Sequence, residues 1–525
     1  MMRHNLVAVD VGTGSARAGI FDPAGRLLAR ATHPIVMIRP LENHAEHDST
    51  DIWDAVCKAV RAALVDAAVS AESVAAIGFD ATCSLVVRGR DGQPVSVSTT
   101  GEDRFDTIVW LDHRAIGEAD FLTDSRHRVL DFAGKSMSPE MQMPKLMWLK
   151  KHMPESWSRM GYAFDLADFL TWKATGSAQR SNCTLTAKWN FLAQEKTGWQ
   201  ADYLAMAGLS DLVERAGLPE LTVQPGGSMG TLTPDAAAEL GLDCQCHVAA
   251  GMIDAYAGAL GALGGSLQSD VGRHVALIAG TSSCLVALSE EQMPGQSLWG
   301  PYWQAVLPDH WLVEGGQSAT GALLDHIVRM HAAGGEPNSQ LHGRIVSRVM
   351  ELRAREGDSF ADRLHVLPDF HGNRSPLADP HAVGVISGLT LDTSFDNLCR
   401  LYWRTAVAIA LGARHVLDTM EGFGYVIETL HVTGGHVKNP LLIELYADVT
   451  GKRIVVPKTA DAVLLGTAMT AASAGHVYDG LAAAGAAMYP GGDEVPVSAS
   501  AAKGYDRDYR RFLAMHRHRQ ELESL

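Results

Sequence analysis

Two short turns of glycine and hydroxyl residues are the first candidates for chemistry in this chain. One turn is Asp10-Val11-Gly12-Thr13-Gly14-Ser15, and the other is Gly280-Thr281-Ser282-Ser283. Small residues let the backbone approach a phosphate, and successive N–H groups bind an anion without a lysine. A single turn of this kind is usually only a turn. Two of them predict that one polyphosphate is bound from both sides.

Asp10 is the first residue of the first of these two motifs. Its carboxylate is placed to hold Mg²⁺, either directly or through water, because Mg²⁺ binds proteins through one or two carboxylates. The alternative interpretation is that Asp10 caps its own turn.

A third glycine motif, Thr433-Gly434-Gly435, follows a predicted strand and opens a predicted helix. Two glycines allow a flat base or ribose to lie against the backbone, and the side chain of Asn439 could hydrogen-bond such a group. The alternative is a tight strand-to-helix turn with no ligand.

Two familiar phosphate loops are excluded by single residues. The dinucleotide fingerprint that Gly12 and Gly14 would begin needs a glycine at position 17, where the chain has Arg17. The sequence Gly134-Lys135-Ser136 resembles the end of a Walker A loop, but the glycine required five residues earlier is Val129. Neither stretch is therefore interpreted as a nucleotide loop of those kinds.

Strands and one helix must position the first turn. Apolar runs predict strands over residues 6–10, 16–21 and 26–32, joined by tight turns, so the chain opens with a β-meander. Apolar side chains at helical spacing predict a helix over 51–69, and a strand returns over 74–79. This order indicates a mixed α/β fold.

A similar order recurs around the second turn. Strands are predicted over 275–279, 284–288 and 429–433, with a helix over 401–421. The recurrence indicates a degenerate internal repeat and two related α/β domains with a boundary near 260–269. Four glycines within 258–265 suggest a hinge there.

Composition limits the class of protein. The 525 residues carry 44 basic and 60 acidic side chains, a net charge of −16, with 46% hydrophobic residues. These values exclude a disordered or collagen-like chain, and the lack of a basic block argues against nucleic acid or an anionic membrane as partner. The seven cysteines are an odd number, and no signal peptide is evident. We therefore expect a cytoplasmic protein with a small-molecule substrate.

The three glycine turns, together with Gly251-Met252-Ile253-Asp254-Ala255, resemble the FGGY carbohydrate kinases of the actin, Hsp70 and hexokinase superfamily. Four longer motifs resemble the ribulokinase branch of that family, particularly its D-ribulokinase members: residues 78–84, 110–114, 314–318 and 368–376. The resemblance implies two RNase H-like α/β domains with an interdomain active-site cleft. Three divisions of the chain are expected. Residues 1–262 form a domain that binds the sugar and contains the first phosphate loop, and residues 263–480 form a domain that binds the nucleotide. Residues 481–525 form a helical tail that packs on the kinase.

The resemblance also implies an activity. We expect transfer of the ATP γ-phosphate to the 5-hydroxyl of D-ribulose, with ATP and Mg²⁺ required and no nucleic-acid or membrane partner. A homodimer is left open. The alternatives are another FGGY acceptor, namely L-ribulose, xylulose, a pentitol or glycerol, or a non-catalytic sensor of sugar and ATP.

The resemblance assigns roles to individual residues. Asp254 is the expected catalytic base, with helix capping as the alternative. Asp112 is expected at the sugar or, alternatively, in an ion pair with Arg114 that shapes the pocket. The expected sugar-binding set is Ala81, Asp112, Lys188, Asp254 and Glu314. The expected nucleotide-binding set is Gly12, Thr13, Gly14, Ser15, Arg17, Gly280, Thr281, Ser282, Gly321, Gly434, Gly435 and Asn439.

Overall fold

The computed structural model describes residues 3–357, 360–497 and 499–525. The chain forms two compact units. The first comprises Met1–Val271, Leu288–Val313 and Thr459–Gly491, and the second comprises Gly272–Ala287, Glu314–Lys458 and Gly492–Leu525. Neither unit is one continuous segment of the chain. The domain boundaries at residues 262 and 480 that are expected from the sequence therefore remain a prediction.

Strands and helices alternate along the chain. The strands are β1 (Asn5–Val11), β2 (Ser15–Phe21), β3 (Leu27–Pro34), β4 (Met37–Ile38), β5 (Glu46–His47), β6 (Val74–Ala81), β7 (Leu85–Gly89), β8 (Thr107–Ile108), β9 (Met160–Asp165), β10 (Ser228–Thr231), β11 (His247–Ala249), β12 (Met252–Ile253), β13 (His274–Ala279), β14 (Ser283–Ser289), β15 (Trp299–Trp303), β16 (Trp311–Gln317), β17 (His365–Leu367), β18 (Val385–Ser387), β19 (Thr429–Thr433), β20 (Arg453–Pro457) and β21 (Gly492–Val495). The helices are α1 (Ser49–Ala67), α2 (Ile116–Asp124), α3 (Gln142–His152), α4 (Pro154–Arg159), α5 (Leu166–Thr175), α6 (Asn182–Lys188), α7 (Ala201–Met206), α8 (Leu212–Arg215), α9 (Pro234–Leu240), α10 (Asp254–Leu263), α11 (Gly321–Met330), α12 (Ser339–Glu356), α13 (Phe395–Gly422), α14 (Pro440–Thr450), α15 (Ala462–Ala474), α16 (Gly480–Met488) and α17 (Ala499–Glu523).

The main sheet of the first unit has the strand order β10-β11-β6-β1-β2-β3, and β12 also pairs with β6. The antiparallel β1-β2-β3 meander and the following helix α1 confirm the predicted opening of the chain. Strand β6 then returns parallel to β1, which aligns Asp10 with Asp80 and Val11 with Ala81. A smaller sheet of this unit has the order β4-β5-β8-β7-β9.

The two faces of strand β1 meet different surroundings. Val7, Val9 and Val11 belong to the apolar cluster that includes α1. Because successive side chains of a strand point to opposite faces, Asp10 points to the other face. Helix α15 packs against β1 and β6, and it hydrogen-bonds Asp80 there. Asp10 and its register partner Asp80 thus lie on the face that α15 covers.

The second unit repeats this local pattern. Strands β13 and β14 form an antiparallel hairpin, and β19 returns parallel to β13. Strands β20 and β21 extend this sheet beyond β19. The predicted strand over 429–433 and the predicted helix over 401–421, which extends over Phe395–Gly422, are both present. The pairing pattern agrees with the predicted repeat.

The glycines of 258–265, where a hinge was expected, lie in helical segments and not in a loop. They lie in α10 and in the 3-10 turn Gly264–Ser266, and α10 packs along α15. A Cβ at Gly261 would lie 2.9 Å from the nitrogen of Gly466 and would overlap the Ala462 carbonyl oxygen. Glycine at position 261 therefore permits the close packing of α10 on α15.

Helix α17 packs on its own unit. Arg404 Nη1 lies 2.7 Å from Asp508 Oδ2, and Arg519 Nη1 lies 2.9 Å from Asp369 Oδ2. Phe512 is buried. None of the helices in the described ranges combines the length and the apolar character of a membrane-spanning segment.

Candidate active site

An arginine between two carboxylates lies beside the first glycine turn. Arg17 on β2 is in register with Asp10 on β1, and its Nη2 donates a hydrogen bond to Asp10 Oδ2. Its Nη1 donates to Asp461 Oδ2 at 3.1 Å, and Asp461 caps the N-terminus of α15. Asp10 is buried, so the guanidinium supplies the positive charge that its carboxylate needs. The structure therefore brings two of the predicted residues, Asp10 and Arg17, into direct contact.

Asp80 belongs to the same cluster but was not among the predicted site residues. Its side chain is fully buried, Thr467 Oγ1 donates to its Oδ2, and its Oδ1 has no hydrogen-bond partner among the described residues. Burial raises the pKa of Asp80 well above the ordinary value, and the nearby Asp254 carboxylate raises it further, whereas the Thr467 hydrogen bond opposes this. The sequence signal that could have identified Asp80 is that it is a charged residue within the apolar run of β6.

Asp254 is the first residue of α10, directly after β12. Strand β12 runs parallel to β6 with Ile253 opposite Ala81, so the parallel pairing brings Asp254 to the same end of the sheet as Ala81. Its Oδ1 accepts a hydrogen bond from the Ala255 N–H at 2.7 Å, which restrains the rotation of the carboxylate. The first unit thus collects the predicted metal-binding carboxylate, the predicted base and one predicted sugar contact.

The structure explains the presence of glycine in the turns in two different ways. A Cβ at Gly14 would meet nothing within 4 Å, and those at Gly12 and Gly280 would meet no atom closer than 3.8 Å. In contrast, a Cβ at Gly321 would lie 2.6 Å from the carbonyl oxygen of Gly280, and Gly434 has a φ of +88° and would crowd Ala279. The protein's own packing requires glycine at Gly321 and Gly434. The open space at the other three leaves room for a ligand close to the backbone.

The first turn is closed by its own backbone and by a tryptophan. The Gly12 N–H donates to the Ser15 carbonyl at 3.0 Å, and Trp110 Nε1 donates to Thr13 Oγ1 at 2.9 Å. Lys145, which is fully buried, donates to the Val109 carbonyl at 3.1 Å and lies 3.3 Å from the Trp110 carbonyl. The predicted sugar-side segment 110–114 therefore contacts the predicted phosphate turn.

Asp112 lies in a buried ion network. Arg114 Nη2 is 2.7 Å from both Asp112 Oδ2 and Glu46 Oε1, and all three side chains are fully buried. Asp112 also accepts a hydrogen bond from the Ala45 N–H at 2.6 Å. The predicted ion pair between Asp112 and Arg114 is confirmed. Sequence reasoning missed Glu46, which lies 68 positions from Arg114.

The two charged residues expected at the sugar are both buried. Lys188 ends α6, and its Nζ lies 4.4 Å from the centre of the Trp299 ring within the first unit. Glu314 lies in β16 and belongs to the second unit. Sugar hydroxyls can hydrogen-bond side chains of either charge, so both residue types are compatible with a sugar ligand.

The second glycine turn is tied to the start of α11. The Gly280 N–H donates to the Ser282 carbonyl at 2.8 Å, and the Gly321 N–H donates to the Gly280 carbonyl at 3.0 Å. The Ala322 N–H donates to the Thr281 carbonyl at 3.1 Å. The structure thus brings the predicted Gly280, Thr281 and Gly321 together, and Ser282 lies in the same turn.

Asn439 caps a helix and is held by a polar chain. Its Oδ1 accepts from the Leu441 N–H at 3.1 Å at the start of α14, and its Nδ2 donates to Tyr402 Oη at 3.3 Å. His342 Nδ1 lies 3.0 Å from the same Tyr402 oxygen, and His342 Nε2 lies 2.9 Å from Asp325 Oδ1. These contacts restrain the Asn439 amide. Gly434 and Gly435 lead from β19 into the 3-10 turn Gly435–Lys438, not directly into α14.

Magnesium is compatible with the carboxylates at the first turn. Within the described ranges no group of three or more His, Cys, Asp or Glu residues forms a metal cluster. Mg²⁺ does not need one, because it uses one or two carboxylates together with water and substrate phosphates. Asp10 supplies such a carboxylate next to the phosphate turn.

Comparison with known proteins gives a consistent result. The model of the FGGY family of carbohydrate kinases, N-terminal domain, matches residues 5–261, and the C-terminal domain model matches residues 275–475. A protein of Homo sapiens described as an FGGY carbohydrate kinase domain-containing protein is 41% identical over 98% of this chain and 96% of its own. A D-ribulokinase of Saccharomyces cerevisiae is 36% identical over 90% of this chain and 72% of its own.

Solved structures agree in fold. A xylulose kinase from Rhodospirillum rubrum has a TM-score of 0.81 at 21% identity and covers 99% of both chains. A gluconate kinase from Lactobacillus acidophilus has a TM-score of 0.82 at 18% identity and covers 98% of both. At this identity the similarity shows the fold alone, and it confirms the expected two-domain actin and hexokinase-like α/β class.

Proposed function

The chain belongs to the FGGY family of carbohydrate kinases, and from this premise we propose that it transfers the γ-phosphate of ATP to the 5-hydroxyl of D-ribulose, giving D-ribulose 5-phosphate and ADP. It is a phosphotransferase of the sugar kinase class. The observation that carries the choice of acceptor is the 36% identity with a D-ribulokinase over 90% of this chain. The ribulokinase-like motif around Asp80 and Ala81 supports the same choice.

Asp254 is the proposed base. The proton of the sugar hydroxyl moves to its carboxylate, the hydroxyl oxygen bonds to the γ-phosphorus, and the bond from that phosphorus to the β-phosphate oxygen breaks to release ADP. The Ala255 N–H restrains the Asp254 carboxylate, which supports a fixed direction of proton transfer. The neighbouring Asp80 side chain is fully buried, which supports a position of the Asp254 carboxylate next to a region shielded from water.

The phosphates would bind to the glycine turns. In the first unit, the turn Gly12–Ser15 and the guanidinium of Arg17 are the proposed contacts, and in the second unit Gly280, Thr281, Ser282 and Gly321 are. Asp10 would hold Mg²⁺, which when bound supplies positive charge to the phosphate oxygens. Adenosine is assigned to Gly434, Gly435 and Asn439, whose amide is already restrained by Tyr402.

The sugar would contact Ala81, Lys188, Asp254 and Glu314. The resemblance to ribulokinases supports this assignment, and sugar hydroxyls can hydrogen-bond side chains of either charge. Asp112 remains a predicted sugar residue as well. Its contacts with Arg114 and the Ala45 N–H support a role in holding the segment that contacts Thr13.

The broader expectations are also proposals. We propose a cytoplasmic protein that acts in pentose metabolism, with a homodimer as a further hypothesis to be tested by light scattering. The division into 1–262, 263–480 and a helical tail over 481–525 is proposed as well. The matches of the family models to 5–261 and 275–475 support the first two of these divisions.

The test is release of ADP by the purified chain with Mg-ATP and a panel of D-ribulose, L-ribulose, D- and L-xylulose, ribitol and glycerol. We expect D-ribulose to give the highest kcat/KM. Preference for another acceptor would keep the sugar kinase class and refute the D-ribulose assignment. No stimulation by any acceptor would favour a sensor.

Asp254→Asn tests the base in the same assay. We expect kcat to fall by about 10²–10⁴, the usual contribution of general-base catalysis, while sugar binding persists. Asp120→Asn is the matched control, because Asp120 is exposed on α2. An Asp254→Asn protein with near-normal turnover would refute the assignment.

A further inference from the structure

The loop that follows β17 contains the motif 368–376, to which the proposed function assigns no role. The loop is closed by its own backbone: the Asn373 N–H donates to the Asp379 carbonyl at 2.8 Å, and the Asp379 N–H donates to the Asn373 carbonyl at 2.9 Å. Gly372 has a φ of +71°, a conformation that favours glycine. These contacts fix the backbone directly before Arg374.

Helix α17 holds the same loop through a buried network. Arg519 Nη1 donates to Asp369 Oδ2 at 2.9 Å, and Asn373 Nδ2 donates to the other carboxylate oxygen, Asp369 Oδ1, at 2.9 Å. The Arg519 and Asp369 side chains are 2% and 6% exposed. The guanidinium therefore supplies the positive charge that the buried carboxylate needs. Arg519, Asp369 and Asn373 together tie the loop to α17.

The side chain of Arg374 lies against strand β16. A Cβ placed on Gly316 would lie 3.2 Å from Arg374 Cδ and 3.6 Å from its Nη1, and Arg374 is half-buried. Because successive residues of a strand point to opposite faces, this Cβ direction is also that of the Glu314 side chain. Gln317 points to the other face, where it donates to the Ile409 carbonyl of α13 at 3.0 Å. Arg374 and Glu314 thus share the face of β16 that is opposite α13.

The second glycine turn ends beside the same point of β16. Strands β14 and β16 are neighbours in the sheet, and the Cβ on Gly316 would lie 2.6 Å from the carbonyl oxygen of Ser283, the last residue of that turn. Glu314, two positions before Gly316, is assigned to the sugar. Arg374 therefore lies beside a residue that adjoins both the proposed sugar contact and the proposed phosphate turn of this unit.

The chemistry of Arg374 fits an anion at this place. Its guanidinium is always protonated, and its planar set of N–H donors matches the oxygens of a phosphate. Of the two groups assigned to this face, the sugar hydroxyls are neutral and the phosphates are anionic. The charge of Arg374 therefore favours the phosphoryl group that passes between them.

We propose that Arg374 donates hydrogen bonds to the γ-phosphoryl group of ATP during its transfer to the sugar. Arg519, Asp369 and Asn373 are positioning residues that hold Arg374 over Gly316. Arg374 keeps its protons throughout and forms no covalent bond. This inference rests on the proposed function, because that function assigns the phosphates and the sugar to this unit's glycine turn and to Glu314.

Arg374→Gln is the test variant, because it removes the charge and keeps a polar side chain. Loss of a hydrogen bond to a charged phosphoryl group should lower kcat/KM for ATP about 10-fold to 100-fold, which corresponds to about 1.4–2.8 kcal/mol. ADP has no γ-phosphate, so its affinity, measured by calorimetry, should stay within twofold. The KM for the sugar should also stay within twofold. Arg374→Lys retains the charge and should lose less.

Arg400→Gln is the matched control. Arg400 is a half-buried arginine on α13 of the same unit, and its Nη2 lies 2.6 Å from Glu356 Oε1. The substitution removes the same charge and breaks an ion pair outside the loop 368–379. We expect wild-type kcat/KM for ATP in this variant.

A double-mutant cycle tests the positioning network. Asn373→Ala removes the hydrogen bond to Asp369 and should lower kcat/KM for ATP in the wild-type background. In the Arg374→Gln background it should lower kcat/KM no further, because Asn373 acts through Arg374. A purely structural role of Asn373 would lower the melting temperature and leave kcat/KM for ATP unchanged in both backgrounds.

The outcomes separate this inference from the proposed function. Unchanged kcat/KM for ATP in a folded Arg374→Gln protein would overturn the inference alone, as would a loss confined to the KM for the sugar or an equal loss of ADP affinity. If Arg374→Gln does not fold, Arg374→Lys is judged by the same three measurements. A wild-type chain that releases no ADP with any sugar of the panel would refute the proposed function, and this inference with it.

Discussion

Replacing Gly261 by alanine should disrupt the contact between α10 and α15. A Cβ at this position would overlap the Ala462 carbonyl oxygen and lie 2.9 Å from the nitrogen of Gly466. Both neighbours are backbone atoms of a helix, so neither can rotate away as a side chain would. The two helices must therefore separate.

The magnitude follows from two opposing effects. Alanine is a better helix former than glycine by about 1 kcal/mol. Overpacking a well-packed core costs about 1–3 kcal/mol, and a rigid backbone neighbour places this case at the upper end. We therefore expect Gly261→Ala to lower the free energy of unfolding by about 1–2 kcal/mol.

Gly343→Ala is the matched control. Gly343 lies inside α12, is exposed, and a Cβ there would meet nothing within 4 Å. The same substitution should stabilise the protein at this position by about 0.5–1 kcal/mol. The two variants thus differ in the sign of the effect although the chemical change is identical.

Urea unfolding followed by circular dichroism measures both variants, and ADP release measures their activity. Because Asp254 begins α10 and Asp461 caps α15, Gly261→Ala should also lower kcat, whereas Gly343→Ala should not. A Gly261→Ala protein as stable and active as the wild type would refute the packing argument.

Two further predictions concern buried charge. Arg114→Met would leave the carboxylates of Asp112 and Glu46 buried without their cation, so we expect the free energy of unfolding to fall by about 3–5 kcal/mol in a urea titration. The control Arg104→Met breaks an exposed ion pair and should lower the free energy of unfolding by no more than about 1 kcal/mol. Equal effects of the two substitutions would contradict the assignment of a buried ion network. Burial lowers the pKa of His47 to about 4, so between pH 6.5 and about 4 the unfolded chain binds a proton that the folded chain does not, and stability should fall by up to about 3 kcal/mol as the pH is lowered. His47→Gln should flatten this part of the stability profile, and an unchanged slope would show that other groups cause it.

Local sequence patterns predicted the elements well. The β-meander, helix α1 and the hairpin β13-β14 follow from apolar periodicity and turn residues within short segments. The glycine turns and Asp10 were found for the same reason, because turn and carboxylate are adjacent in the chain. The ion pair of Asp112 with Arg114 was also within reach, since only two positions separate them.

Residues distant in sequence were missed. Thr467 lies 387 positions from Asp80, and Glu46 lies 68 positions from Arg114. The packing of Gly261 against α15 was also missed, because it depends on a partner helix from another part of the chain; the hinge expected at 258–265 stays a prediction. Periodicity within one segment carries no information about such partners.

The sequence by itself determined the fold class, the family and the location of the glycine turns, because these depend on local backbone preferences and on motifs that are continuous in the chain. Tertiary structure alone decided which charges from distant parts of the sequence meet. The parallel register of β1 and β6 aligned Asp10 with Asp80, and the return of Thr459–Gly491 to the first unit added Asp461 and Thr467. The energies of these contacts depend on burial and distance in space, which are properties of the folded chain.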